Sequence, residues 1–463
     1  MLFLIARKEI INNVLSFRFV VTYALLFCLV LLAVFLMANE HRGRVQEALG
    51  HENAARGQVE RLRAVEDPGQ RFRQLQGTTL YGARFPDGMS ILAKGVEGEL
   101  PVQVSTRPFY ADGGGADRLG RNMLFEVFQT PDLAYVVNVV MSLLALLFVF
   151  DAVCGEKERG VLKLLMAYSV PRDTVLLGKW IGGFVSVATP YTVAVAGGYV
   201  YLYAGGAVDH SSEWVQRFWL FYALSLLYMS VCFTLGLMIS AAAHRSATAL
   251  LVALTVWVVW ILVVPNLAPV GARLLRPVPS EQVIAAEKEA IDRETRVHIE
   301  GIAKRKVYGD REETQRLQRQ AEEEKAKLDR FARDKQVEQI QLTQDLARIS
   351  PSASFLLAAT RLAGTGPDLY NRFRNAHWRF RRGFGEYMQD FWRRGAFVEW
   401  NRRGPVMKDP DWFKPEALPR FSLGGEAVGD SMDAALFDVL LLAVYNVLFF
   451  MLAYIFFLRY DVT

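Results

Sequence analysis

The chain has 463 residues, 52% hydrophobic and 22% charged, with a formal net charge of +5 at pH 7. The apolar residues are gathered into six runs, 19–38, 133–150, 180–204, 218–243, 247–264 and 434–458, and only the last carries a charged residue, Asp438. This excludes a single soluble domain and a β-barrel, whose strands would alternate apolar with polar residues, and the small net charge is no footprint for nucleic acid.

A helix needs about 20 apolar residues, at about 1.5 Å each, to cross a hydrocarbon core about 30 Å thick. The six runs meet that length. Cys28, Cys154 and Cys232 lie in or beside these runs, which does not suit a disulfide framework. The six histidines have no ligand spacing, so no metal site is expected.

Residues 1–16 read as an amphipathic helix at the membrane surface, with Leu2, Ile5 and Ile10 toward lipid and Arg7, Lys8 and Glu9 toward water. The polar lead is too long for a cleaved signal peptide. The first span is expected at 17–38. An insertion, 39–132, follows it. Residues 41–65 carry a thin helical stripe of Val45, Leu49, Val59 and Leu62; 77–110 hold the Gly, Pro and β-formers of short strands and turns; and 111–116 read as a flexible loop.

The second span, 133–150, leads through a loop, 151–179, to the third, 180–204. The fourth and fifth are 218–243 and 247–264. Residues 265–433 form a second insertion, the sixth span is 434–458, and 459–463 are a tail. Arg7, Lys8 and Arg18, the basic residues of 151–179, Arg245 and Arg459 all fall on one side, which the positive-inside rule assigns to the cytoplasm. Both termini are then cytoplasmic and both insertions lie outside. The expectation is a multi-pass membrane protein, and the cysteine-free external domains suit a periplasmic setting.

In the second insertion, 281–348 contains no proline, and 31 of its 68 residues are charged. That pattern predicts a solvated helical hairpin, a coiled-coil stalk hinged at Gly309-Asp310, with arms of 30–38 residues. It reads equally as a device that touches a partner and as a plain spacer. Farther on, Tyr370, Phe373, His377, Phe380, Phe384, Tyr387 and Phe391 share one helical face, with arginines beside it. Core packing is the favoured reading of this stripe. The alternative is a partner or cargo surface built from Phe380, Arg381, Arg382, Phe384 and Trp392. The fold class is thus a polytopic α-helical membrane protein with six transmembrane helices and two extracytoplasmic insertions, one α+β and one dominated by a long hairpin.

The loop at 151–179 is the most informative stretch. Glu156, Lys157, Glu158 and Arg159 follow the second span directly; Gly160 comes next; then Leu162, Leu164 and Leu165 recur at helical spacing. Pro171-Arg172 breaks this pattern, and Leu177, Gly178 and Lys179 enter the third span. Physically this is a short surface helix with acids at its N-terminal end, where the helix dipole favours them.

These residues resemble the ABC-2 type transporter permeases, which follow the second span with an acidic E-x-E-x-G box, a Leu-rich helix, a Pro-x-Arg or Ser-Arg break and a Leu-Leu-Gly-Lys entry. The terminal Arg459–Val462 and the SPSASFLLAATRLAGTG stretch at 350–366 are similar to a subgroup with a large insertion before the last span. Val161 stands where many relatives have Thr.

The resemblance implies that Glu156, Glu158, Arg159, Gly160, Leu162, Leu164, Leu165, Pro171 and Arg172 form a coupling helix received by a separate ATPase subunit. It implies two ATPases and two permease halves per complex, so a second copy or a paralogue as partner, within membrane lipid. The chain has no G-x-x-x-x-G-K-[ST] loop. It is therefore expected to be non-catalytic and to bind no cofactor, with ATP and Mg held by the partner.

Polar residues inside spans are costly and often functional. Asn138, Ser142, Thr189, Tyr191, Thr192, Asp438 and Asn446 are the candidates for a pathway or a dimer interface, although Asp438, one turn inside its run, also reads as an interfacial residue. The leading expectation is the permease subunit of an exporter. The rival is an ABC-driven mechanical or sensory protein that acts on a periplasmic partner through the stalk.

Overall fold

The computed structural model describes residues 1–107, 132–163, 171–206, 208, 211–305, 311–393, 397–401, 404–407 and 412–459, with side chains described at all of these except 18, 281, 303, 305, 311, 391–393, 397–401 and 404–407. The 111–116 loop, Leu164, Leu165, the Gly309-Asp310 hinge and the side chain of Trp392 lie outside the described residues.

Among the described residues, six helices are long and apolar enough to cross a membrane: Phe19–Arg63, Leu133–Glu158, Arg172–Gly205, Ser212–Ala242, Ser246–Leu275 and Val428–Leu458. They follow the order of the six apolar runs, and each extends beyond its run. Labelled in chain order, α1 is Leu2–Val14, α2 Phe17–Arg63 and α3 Pro68–Gly77. The second span contains α4 (133–149) and the short α5 (Cys154–Glu158). The third and fourth spans are α6 (Arg172–Gly205) and α7 (Ser212–Ala242), and the fifth is α8 (Ser246–Leu275). Then come α9 (Glu281–Arg305), α10 (Arg311–Ala347), α11 (Pro351–Leu362), α12 (Pro367–Arg393) and the last span, α13 (Val428–Leu458).

The first span and the helix expected at 41–65 are one helix of 47 residues, about 70 Å long at 1.5 Å per residue. Nothing between them breaks a helix, and the polar junction is tied down laterally. Arg42 donates to the Gly205 carbonyl (2.8 Å), Arg44 to that of Glu97 (2.8 Å), and Lys94 pairs with Glu40 at 2.6 Å.

The reading of α1 as half lipid-facing and half water-facing needs correction. Arg7 and Lys8 are exposed, but Ala6 is buried, and Ile5 and Glu9 turn toward α6. The reason is a glycine groove. A Cβ at Gly178 would lie 2.8 Å from Ile5, and one at Gly182 would lie 2.6 Å from the Ala6 carbonyl. The exposed apolar face is instead Phe3, Leu4, Ile11 and Leu15.

The fourth span, α7, is the hub of the bundle. It is the most buried of the six and packs on α4, α6 and α13. Close approach again depends on glycine, with Gly236 against Val149 and Gly183 against Phe233.

Outside the spans, β1 (Leu80–Ala83) pairs antiparallel with β2 (Gln103–Thr106), Leu80 opposite Thr106. This is the expected strand-and-turn region, with two 3₁₀ turns, Gly88–Ile91 and Gly95–Glu99, between the strands. Arg84 and Glu97 form an ion pair at 2.5 Å with both side chains at most 1% exposed. The aromatic stripe of α12 faces inward, where Phe373 and Phe380 both meet Phe421. Strands β3 (Phe397–Asn401) and β4 (Gly404–Met407) form a second antiparallel pair.

The chain divides into two compact units, Met1–Val258 with Ser354–Thr463, and Val259–Ala353. The second holds the hairpin of α9 and α10. Its arms are 25 and 37 residues long, close to the expected range. Lys288 pairs with Asp329 and Lys325 with Asp292. That antiparallel register has its midpoint between residues 308 and 309, next to the hinge predicted at Gly309.

The 350–366 stretch departs from the reading of 265–433 as wholly external. In the first unit, Phe355 stacks on Tyr228 of the fourth span at 4.5 Å between centroids, and Arg361 pairs with Asp438 of the sixth at 2.6 Å. Tyr228 lies about 16 Å along α7 from Arg217, which donates to the Leu362 carbonyl at 2.7 Å. This part of α11 therefore lies alongside two spans, toward their insertion-side ends. A run of small and apolar residues with a single charge suits that place better than water.

Past α11, Thr365 holds the Gly95 turn: Val96 N–H donates to the Thr365 carbonyl (3.0 Å), and the Thr365 hydroxyl to that of Ala93 (2.7 Å). Gly95 has φ +51°, and a Cβ there would lie 2.3 Å from the Thr365 carbonyl. Gly95→Ala is therefore expected to cost at least 1–3 kcal/mol, read as a lower thermal midpoint in detergent. Gly160→Ala is the control, because Gly160 also has positive φ but open space around it; it should cost only about 1 kcal/mol.

Candidate functional site: the loop between the second and third spans

This loop is tied to α1 and to the ends of four other helices. The N–H groups of Val153 and Cys154 donate to the Ser240 hydroxyl near the end of α7, at 3.0 and 3.1 Å. The Lys157 ammonium donates to the carbonyls of Ala241 and Ala243, which end the same helix. A cation at a helix C-terminus is where the dipole favours it.

Glu158 accepts from both the N–H (3.1 Å) and the hydroxyl (2.9 Å) of Ser246, so it caps the start of the fifth span. Gly160, at φ +72°, ends α5 in the left-handed conformation. Arg159 folds back onto the Gly155 carbonyl. Pro171 stands at the N-cap of the third span, and Arg172 donates to the Leu458 carbonyl, at the end of the sixth, at 2.6 Å.

The centre of the loop is Lys179. Its ammonium, 3% exposed, lies 2.8 Å from a carboxylate oxygen of Glu9, 2.8 Å from one of Glu156 and 3.0 Å from the Ala152 carbonyl. A buried ammonium is tolerated only when all its donors are used, and here all three are. One cation thus joins α1, the loop and the third span.

The residues named from sequence separate accordingly. Glu156 and Arg172 are half-buried and Glu158 is exposed, but all three bond to other parts of this chain. Leu162 is fully buried and anchors the loop rather than presenting itself to a partner. Arg159, Val161 and Lys163 are exposed. The acids of the box are therefore structural contacts in this conformation.

The intramembrane candidates fall into separate groups. Asn138 and Ser142 are buried between the second, fourth and fifth spans, where Trp257 donates to the Ser142 hydroxyl at 3.0 Å and Tyr228 to the Asn138 carbonyl at 3.1 Å. Asn446 joins Thr234 and Ser230 of α7, and Trp180 of α6 donates to Thr234 at 2.8 Å. Tyr191 is fully buried, whereas Thr189 and Thr192 are exposed, with Thr192 2.8 Å from the Tyr222 hydroxyl.

Asp438 is fully buried and paired with Arg361. Sequence reasoning missed Arg361, although it is the single charge in 350–366 just as Asp438 is in the six apolar runs. The partner-surface reading of the aromatic stripe is corrected as well. Phe380 (3% exposed) and Phe384 (0%) are core, and among the described side chains of that set only Arg381 and Arg382 are exposed.

At the opposite end of the second span, Asp132 accepts from the N–H groups of Tyr135 and Lys94, both at 2.7 Å. Burial pushes its carboxyl up to about 6, against those hydrogen bonds and the Lys94 charge, which pull it down.

Six membrane-length helices, with this loop clasped onto their ends, define a polytopic helical membrane protein. The family model described as ABC-2 family transporter protein matches residues 3–462, and the chain belongs to that family. Among curated proteins, it is similar to the "Probable ABC transporter permease protein NosY" of Stutzerimonas stutzeri, 31% identical over 137 residues, which cover 28% of this chain and 48% of that protein. The protein of the same name from Pseudomonas aeruginosa is 29% identical over 130 residues, covering 28% and 47%. The chain spans about half the length of the curated relatives it matches.

Two outcomes follow from the charges. Lys179→Met strands two carboxylates in a buried site and should cost about 3–5 kcal/mol, whereas Glu9→Gln or Glu156→Gln leaves Lys179 one full partner and should cost about 1–3 kcal/mol. Thermal midpoints of the three variants check the order. For Asp132, a folded pKa above the ordinary 3.8 gives stability that is complete below about pH 4 and lost as pH rises through about 6. The loss should be on the order of 2–3 kcal/mol, and Asp132→Asn should flatten that part of the pH profile of the thermal midpoint.

Proposed function

We propose that the chain is the transmembrane permease subunit of a bacterial ABC transporter, working as an exporter and driven by a separate ATP-hydrolysing subunit that docks on the 151–179 loop. The observation that carries this reading is the clasp around Lys179. A loop that receives a push must be stiff and joined to what it moves. This one is joined to α1 and to the ends of the third, fourth, fifth and sixth spans through named hydrogen bonds.

The docking face includes the exposed side chains of Arg159, Val161 and Lys163; Leu164 and Leu165 come next in the sequence. The loop end of the bundle is the cytoplasmic one, and both termini share it. The working complex holds two such ATPases, which carry ATP and Mg, and a second permease copy or paralogue. Closure of the ATPases shifts the spans between inward- and outward-facing states, an equilibrium biased by differential contacts with the loop.

A second reading is favoured by one specific feature. Thr365, Arg217 and the Arg361–Asp438 pair tie the Gly95 turn, α11 and two spans into one mechanical path. That path also suits a protein that transmits force to a periplasmic partner through its insertions without moving cargo.

Purification in mild detergent, with identification of the proteins that accompany the chain, tests the first reading. A stoichiometric P-loop ATPase is expected. Val161→Asp with Lys163→Glu should reduce its recovery at least tenfold while a cooperative thermal transition is retained, because both side chains are exposed. Undiminished recovery of the ATPase with that double variant would remove the loop as its docking site.

A further inference from the structure

The second span is held at both ends. Asp132 fixes its start to the Lys94 backbone, and Glu156 and Lys179 fix its end. Between these clasps it is irregular, since Val136–Met141 is a π-helix, entered from Leu133–Tyr135 and left at Ser142.

A π-turn carries one residue more than the α-turn it replaces and takes a carbonyl out of the regular ladder; such turns recur at functional places in helices. The usual causes of helix distortion, proline and glycine, are absent from 133–150. What the segment has is a run of β-branched residues, Val136, Val137, Val139 and Val140, which lower helix propensity.

The displaced carbonyl is that of Asn138, and two hydroxyls meet it. Tyr228 of the fourth span donates at 3.1 Å, and Ser142 donates from one turn on. Ser142 is held in turn by Trp257 of the fifth span, at 3.0 Å. Asn138, Ser142 and Tyr228 are all at most 2% exposed.

The π-register is nevertheless incomplete. The side-chain oxygen of Asn138 is buried with no hydrogen-bond partner. An unmade hydrogen bond in a dry place is expensive, so the segment combines a satisfied backbone with a frustrated side chain.

We propose that Val136–Met141 is a register switch, with the Tyr228 hydroxyl as the latch that holds the π-state. On release, the turn becomes α-helical. The part of the span on the Asp132 side of the turn rotates by about 100° and shifts by about 1.5 Å, the increments of one residue. Asn138 then presents its amide to a different neighbour. The Asp132 cap moves with the helix start, and through Lys94 it moves the Gly95 turn that Thr365 holds. The switch itself stands on geometry alone; only its use in an ATP-driven cycle rests on the permease reading.

Backbone hydrogen exchange of residues 133–149, measured on the intact chain in lipid nanodiscs, tests it without any ATPase. Tyr228→Phe keeps the ring that stacks on Phe355 but removes the latch. It should speed exchange there about tenfold, as expected when a buried acceptor loses one of its two hydroxyl donors. Deleting Val139 removes the surplus residue, and in that background Tyr228→Phe should change exchange by less than twofold. Phe355→Leu keeps the hydroxyl and disturbs only the stack, so it should leave exchange at 133–149 unchanged, even if the deletion variant fails to accumulate. Equal exchange in the wild type and Tyr228→Phe would overturn the proposal. So would an equally fast Phe355→Leu, or an undiminished Tyr228→Phe effect in the deletion background. Absence of an ATPase partner would defeat the functional reading and leave these results standing.

Discussion

The ammonium of Lys179 is the constraint on which one end of the bundle depends. It lies 3% exposed between Glu9, Glu156 and the Ala152 carbonyl, a position that water cannot help to stabilise. With two carboxylates and one carbonyl, its three protons are all used, and desolvation is offset only while those partners stay in place. The groove at Gly178 and Gly182 lets α1 approach closely enough for Glu9 to reach the site. The packing of α1 and the placement of the loop are thus parts of one electrostatic solution.

The same rule governs the interior of the spans. A polar group in hydrocarbon must be satisfied within the protein, and α7 supplies most of the partners. Ser230 and Thr234 serve Asn446, Tyr228 serves Asn138, and Ser240 receives the start of α5. The polar residues that mark each span in the sequence are therefore the contacts by which the spans recognise α7. Thr189 stands apart, since its hydroxyl bonds back to Val185 and its side chain faces outward; Thr192, although exposed, bonds to Ala188 and to the Tyr222 hydroxyl of α7.

Much of this was legible in the sequence because it depends on one-dimensional quantities. Apolar run length gave the six helices, and charge density gave the hairpin. Strand-and-turn composition gave β1 and β2, and three-four spacing gave the buried face of α12. What was not legible depends on pairing between distant residues. Glu156 and Glu158 read as free acids because nothing in 151–163 names Lys179 or Ser246 as their partners. The 350–366 stretch read as external because twelve helical residues are too few to cross a membrane, yet they are enough to lie against two spans. One signal was available and unused. A lone arginine in an apolar stretch and a lone aspartate in the six apolar runs are each prohibitive alone, so Arg361 and Asp438 are natural partners.

The two clasps assign the second span a role that neither end shows alone. A rigid helix fixed at both ends can pass a displacement only by moving as a body. That would break contacts along its whole buried length, because interiors are packed too densely to yield gradually. A helix with one surplus residue has another option. It can move the surplus, rotating one part while the other stays packed against Gly236. The π-turn stands on the insertion side of that glycine contact, between the Asp132 cap and the tight crossing with α7. A change arriving at the loop can therefore reach the insertions without unpacking the half of the span that the loop itself depends on.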